Sequence, residues 1–300
     1  MDPNRMKSAR NFIVLTCAMS LAAAAYSQSW ISNAGNDINI CSLTSPCRTL
    51  QHAVDVTAPW GQVGVLNAGD YGPAVITQSI RIDGGGLLAN VVFSGNGITV
   101  KTPAGSVVQL RNLSLHGNGA TNGIQFEGAG GLDIDNVQVT GFNNSCIVAS
   151  GNGPSDVVIK DTTAENCAAY GIYLGQSEGA LTGRIINTHV RFSNFALYIL
   201  RGQVSVYDST FSSPGNPGAL NNWGMRIDVG SSVLLENCQV SGFVTGVFAI
   251  AGGTVQFNRT SFTNNFLALG QSTGTTISNG DNVFFGNSTN GTFNQTVGLQ

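Results

Sequence analysis

From Val107 onward the sequence repeats itself. The segments "QLRNLSL", "DIDNVQV", "VIKDTTA", "RIINTHV", "SVYDSTF", "LLENCQV" and "QFNRTSF" superpose on one central polar residue. That residue is Asn112, Asn136, Asp161, Asn187, Asp208, Asn237 and Arg259 in turn, at intervals of 24, 25, 26, 21, 29 and 22 residues. A period near 24 holding three short alternating segments and no helical periodicity is too short for a propeller blade. It is the length of one coil of a parallel β-solenoid, in which each coil pairs with those above and below. Leucine-rich repeats have a similar period, but their spacing of leucines is missing here.

Alternation sets Leu110, Leu113 and Leu115 inward and Arg111, Ser114 and His116 outward. Arg111, Asp135 and Lys160 fall in one outward column of consecutive coils and read as an alternating charge ladder of small energetic weight. After each core comes a Gly, Asn or Ser turn and a further short strand, as in "NGIQF", "YGIYL", "WGMRI" and "TGVFA". Ahead of the repeats, "CRTLQHAVDVTAPWG" has Leu50, Ala53 and Val54 at helical spacing, ended by Pro59 and Gly61. A short helix over about 48–58 would cover the open first coil, with coils running over about 62–290.

The order "TLQHAVDV…GQVGVLNAGDYGPAVITQSIRIDG", followed by Asn-centred coils, resembles the right-handed parallel β-helix proteins of the pectate-lyase-like superfamily. The expected fold is therefore all-β: a single right-handed parallel β-helix with a short N-terminal capping helix. By resemblance, each coil has three strands, and a ladder of asparagines fills the tight turn between the second and third. Asn112, Asn136, Asn187 and Asn237 would form that ladder, with Asp161 and Asp208 as acceptor-only variants and Arg259 breaking the stack. A short amide there can satisfy the backbone groups that a bend leaves unpaired, and also bond its neighbour in the next coil.

Composition fits export. Residues 1–27 read as a cleaved signal peptide, with Arg5, Lys7 and Arg10 ahead of an apolar run from Phe12 to Ala25 and small residues at its end. Cleavage leaves 10 basic residues of 13 and 15 acidic of 16. The resulting excess of acid disfavours nucleic acid, and a membrane is expected only through an uncleaved leader. A secreted, periplasmic or cell-envelope location permits disulfides, and Cys41 with Cys47, and Cys146 with Cys167, are the candidate pairs. Cys238 is left over as a buried thiol, and no cysteine spacing supports a zinc site.

In the resembled enzymes the substrate groove runs along the outer face of the first strands. Here that face is expected to carry Gln125, Val148, Tyr173, Tyr198, Arg226, Phe248 and Ala268 in one column. Glu127, Ser150, Gly175, Leu200, Asp228, Ile250 and Gly270 form the next, and Trp223 lies in an overhanging loop. Glu127, Tyr173, Tyr198, Trp223, Arg226, Asp228 and Phe248 are the candidate binding residues, because aromatic rings beside polar groups suit sugars. Glu127 and Asp228 are four coils apart, roughly 19 Å at 4.8 Å per coil, against about 5 to 9.5 Å for a glycosidase pair. The catalytic residues are therefore unknown, no metal or cofactor is expected, and calcium enters only if the chain is a lyase. The first reading is an exported protein that binds polysaccharide or cell-wall glycan. A carbohydrate-active enzyme, lyase or hydrolase, and a structural or adhesive spacer are the alternatives, and oligomeric state is left open.

Overall fold

The computed structural model describes residues 27–298 apart from 93, 177 and 214–221. The expected leader, except for its last residue, and most of the loop before Trp223 lie outside the described residues. All strand pairings between coils are parallel, and they form a nine-stranded sheet and an 18-stranded sheet. The nine-stranded sheet holds the first strand of each coil. The larger sheet holds the second and third strands, which stay joined because only one residue bends the chain between them. Only one helix is present among the described residues, so the chain is an all-β, right-handed parallel solenoid of about 24 residues per coil.

Register explains the core. Ile98, Ile124, Ile147, Ile172, Leu197, Met225, Val247 and Leu269 pair in succession across eight strands of the smaller sheet. Each is nearly or wholly buried. Burying such a side chain contributes about 1.5–3 kcal/mol, and the coil period repeats that gain at every level. Leu110, Leu113 and Leu115 point inward as the alternation requires.

The central polar residue of every repeat is a left-handed corner. Asn112 and Asn136 have φ of 55°, Asp161 49°, Asn187 46°, Asp208 51°, Asn237 53° and Arg259 47°. Asn and Asp tolerate this conformation better than other residues with a Cβ, which accounts for the column's composition. The stack also has a direction, because each amide donates towards the preceding coil. Asn136 Nδ2 donates to Asn112 Oδ1 (2.8 Å), and Asn112 Nδ2 donates to Asp83 Oδ1 (2.7 Å). Asn187 donates to Asp161 and Asn237 to Asp208, both at 2.6 Å. An ionised aspartate has no proton to give, so each Asp starts a new run. Arg259 ends the series, its guanidinium reaching back to Glu236.

The residue after each corner faces inward, and Thr162, Thr188, Ser209, Cys238 and Thr260 occupy that column. Cys238 thus replaces a hydroxyl residue, and burial pushes its thiol up to about 11. The charge ladder differs from expectation in its last step. Arg111 lies 3.3 Å from Asp133 and 3.8 Å from Asp135, whereas Lys160 bonds its own neighbour Asp161 at 3.1 Å instead of reaching Asp135.

The helix Leu50–Val56 caps the first coil, with Thr49 as N-cap accepting from the His52 amide and Leu50, Ala53 and Val54 buried. It is shorter than the expected 48–58. Stacking also begins earlier than residue 62, because strand Gln28–Ile31 pairs in parallel with Gln62–Val65. Two disulfides fasten the molecule. Cys41–Cys47 closes a loop beside the cap, and Cys146–Cys167 joins adjacent coils, with Cα atoms 5.5 Å apart.

The corner predicts a graded effect. Asn112→Leu loses two amide bonds and places a branched side chain at positive φ, so it should destabilise by about 2–4 kcal/mol. Asn112→Gly keeps the backbone conformation and should cost about half as much. Thermal denaturation of both variants checks the order, and equal stability with the parent would refute the ladder's contribution.

Candidate functional site

The outer face of the nine-stranded sheet is set by the same register. Gln125, Val148, Tyr173, Tyr198, Arg226 and Phe248 share one column, as the alternation indicates. The expectation slips in the last coil. Phe248 pairs with Gly270 and Ile250 with Ser272, so Ala268 is an inward, fully buried residue and Gly270 belongs to the first column. That coil lacks the glycine landmark of its neighbours, Ala268 standing where Gly246 stands, and nothing local fixes its register. Gln125 and Val148 are buried, so the accessible part of the column starts at Tyr173.

A third outward column comes from an irregularity in the strands. Tyr170 pairs with Phe195 and Phe195 with Trp223, while Gly171 and Ala196 beside them turn inward. A Cβ on Gly171 would meet Val190 Cγ1 at 2.2 Å, so the backbone passes too close to the core for any larger residue. This places Tyr170 and Phe195 on the face three residues before Tyr173 and Tyr198, an offset that strict alternation does not give. Trp223 begins strand Trp223–Ile227 in this column and is not part of an overhanging loop.

The columns merge into one aromatic rank. Ring centroids are 5.3 Å apart for Tyr170 and Tyr173, 5.2 Å for Tyr173 and Tyr198, and 5.4 Å for Tyr170 and Phe195. The contacts continue from Phe195 to Trp223 (5.4 Å) and from Trp223 to Phe248 (4.9 Å). Such pairs contribute about 0.5–1.5 kcal/mol each beyond burial. All six rings are half-buried, each keeping part of its surface in solvent.

Arg226 sits over this rank, its guanidinium carbon 5.2 Å from the Tyr198 ring and 5.5 Å from the Trp223 ring. Its Nε and Nη2 both donate to Asp228 Oδ2, at 3.1 and 2.8 Å. The same oxygen accepts from the Tyr198 hydroxyl (3.1 Å), and Oδ1 accepts from the Val229 amide (2.8 Å). Burial opposes the charge on Asp228, which is 8% exposed, but the Val229, Arg226 and Tyr198 donors outweigh it and hold its pKa below the ordinary 3.8. Burial, with Asp228 opposing ionisation against the attraction of Arg226, pushes the Tyr198 phenol up to about 12. The carboxylate is thus held ionised by four donors, three of them on Oδ2, an arrangement that suits holding Arg226 flat.

Glu127 stands apart from this cluster. It pairs at 2.9 Å with Lys101, its counterpart one coil earlier, and its register puts it four coils from Asp228. Among the described residues the one grouping of three metal-ligating side chains is Cys41, Cys47 and His52, and the two cysteines are disulfide-bonded.

Fold and repeat together define a β-solenoid. The chain belongs to the family described as the right-handed β-helix region, which matches over residues 65–211 and again over 122–296. No curated protein sequence matches it. Among solved structures, pectate lyase Pel9A superposes with a TM-score of 0.62 at 12% identity, covering 91% of this chain and 78% of that one. The full-length tailspike protein 2 of Escherichia coli O157:H7 bacteriophage CAB120 superposes with a TM-score of 0.57 at 13% identity. That match covers 78% of this chain and 38% of the tailspike. At such identities the likeness is one of fold.

The Asp228 cluster predicts an acid response. Because its pKa in the folded chain lies below 3.8, its contribution to stability is full above that value and is lost as pH falls through the folded value. Asp228→Asn should therefore lower the melting temperature at pH 7 and lose less on acidification than the parent. Identical pH profiles for the two proteins would show that the carboxylate is not coupled to folding.

Proposed function

We propose that this is an exported polysaccharide-binding protein, secreted or held at the cell envelope, whose sugar contacts lie on the outer face of the first-strand sheet. The observation that carries this reading is the aromatic rank from Tyr170 to Phe248, broken only by an Arg226 held flat by Asp228. Half-exposed rings offer apolar faces to sugar rings, and the guanidinium edge and phenol oxygens offer partners for hydroxyls. Coil spacing of about 4.8 Å repeats these contacts along a line, which matches an extended chain. Two disulfides suit an oxidising compartment. Glycan-acting proteins share the fold, and that analogy adds to the reading without carrying it.

Retention on immobilised polysaccharides tests the proposal. Tyr173→Ala, Tyr198→Ala and Trp223→Ala should each lose about 1 kcal/mol, roughly fivefold in affinity, with circular dichroism unchanged. Unchanged retention in all three would remove the face from consideration. Release of unsaturated or reducing ends from a glycan panel by the parent protein would instead favour an enzyme.

A further inference from the structure

A second surface runs along the outer face of the second strands, away from the aromatic rank. Three concavities lie end to end on it. The first, about 410 Å³, is lined by Trp60, Gln62, Arg81, Val107 and Gln109. Val107 is shared with the next, of about 380 Å³, which in turn shares Asp156 and Arg184 with the third, of about 420 Å³. They make one trough crossing eight successive strands from Gln62 to Ser232, roughly 34 Å at 4.8 Å per strand.

Trp60 closes one end in an unusual way. Its backbone is left-handed, with φ of 67°, and its amide is fixed to Ser79 O at 2.7 Å. The turn from Ala58 to Gly61, closed by the Gly61 amide donating to Ala58 O at 2.9 Å, sets this conformation at its third position, where glycine or asparagine is the usual residue. A tryptophan there costs about 1–2 kcal/mol, which its own burial does not offset, since it is 56% exposed. An exposed tryptophan at a turn position that favours glycine, lining the end of a concavity, points to function.

The floor indicates which ligand. Arg81 is paired with Asp83 (3.1 Å), Arg111 with Asp133 (3.3 Å) and Arg184 with Asp156 (3.4 Å). No excess of positive charge is left there to recognise a polyuronate. What faces outward between these pairs is uncharged, with amides and a hydroxyl at Gln62, Gln109, Gln203 and Ser205 and aliphatic side chains at Val107, Val158 and Leu234. We infer that the trough is a second glycan site, which binds a linear neutral polysaccharide and stacks one ring on Trp60.

Tryptophan fluorescence and calorimetry with linear hexaoses of β-1,4-linked glucose, xylose and mannose test this, with hexagalacturonate as the charged comparison. The parent should bind at least one neutral hexaose more tightly than the matching triose. Trp60→Ala should weaken that binding about tenfold, and Trp60→Gly, which suits the left-handed backbone, should do the same with the fold intact. Val158→Trp, placed midway along the trough, should abolish the advantage of hexaose over triose. In a Trp223→Ala background the loss caused by Trp60→Ala should be as large as in the parent, so failure here is distinct from failure of the first-strand site. Binding by both Trp60 variants equal to the parent, no response to any neutral hexaose, or a preference for hexagalacturonate that depends on Trp60 would each overturn the inference.

Discussion

Parallel in-register stacking requires each side chain to sit about 4.8 Å from its counterpart one coil away. A residue is therefore tolerated only if it can live next to another of its kind. Aliphatic side chains meet that demand without penalty, as the column from Ile98 to Leu269 shows. Asparagine meets it by being donor and acceptor at once, so Asn136 can bond Asn112, which in turn bonds Asp83. Like charges fail it, and a chain with only 10% charged residues is one consequence. Where charges do occur they alternate or find a neighbour, as with Arg111 between Asp133 and Asp135.

The same rule turned outward builds the aromatic rank. Planar groups stack on planar groups, so Tyr173, Tyr198 and Phe248 accept a guanidinium at Arg226 without a break in shape. Asp228 then keeps that guanidinium from moving away, and the Tyr198 hydroxyl and the Val229 amide hold Asp228 in place. Among the described residues the site's order is inherited from the coil period.

Much of the fold was legible because one period wrote it many times. The corner residue could be found from Asn112, Asn136 and Asn187 alone, since few residues accept a left-handed backbone and those that do recur at the right interval. Tyr173, Tyr198, Arg226, Asp228 and Phe248 could be assigned to the outer face by alternation, and their counterparts in the structure agree. Tyr170 and Phe195 were hidden, because Gly171 and Ala196 break the two-residue period where the backbone presses on the core. Ala268 was misplaced where a coil lost its glycine, and Lys101, the partner of Glu127, lies in register on the coil ahead of those that the outward columns covered.

The Cys146–Cys167 bridge acquires meaning from this architecture. A solenoid whose coils touch only their neighbours can fray from either end, one level at a time, like a spring being drawn out. A covalent rung between two adjacent levels stops such unravelling from passing through it, whichever end it starts from. The bridge lies just ahead of the coils that carry Tyr173 and Tyr198. Loss of the capping helix by tension or proteolysis would then leave the aromatic rank standing behind a locked step.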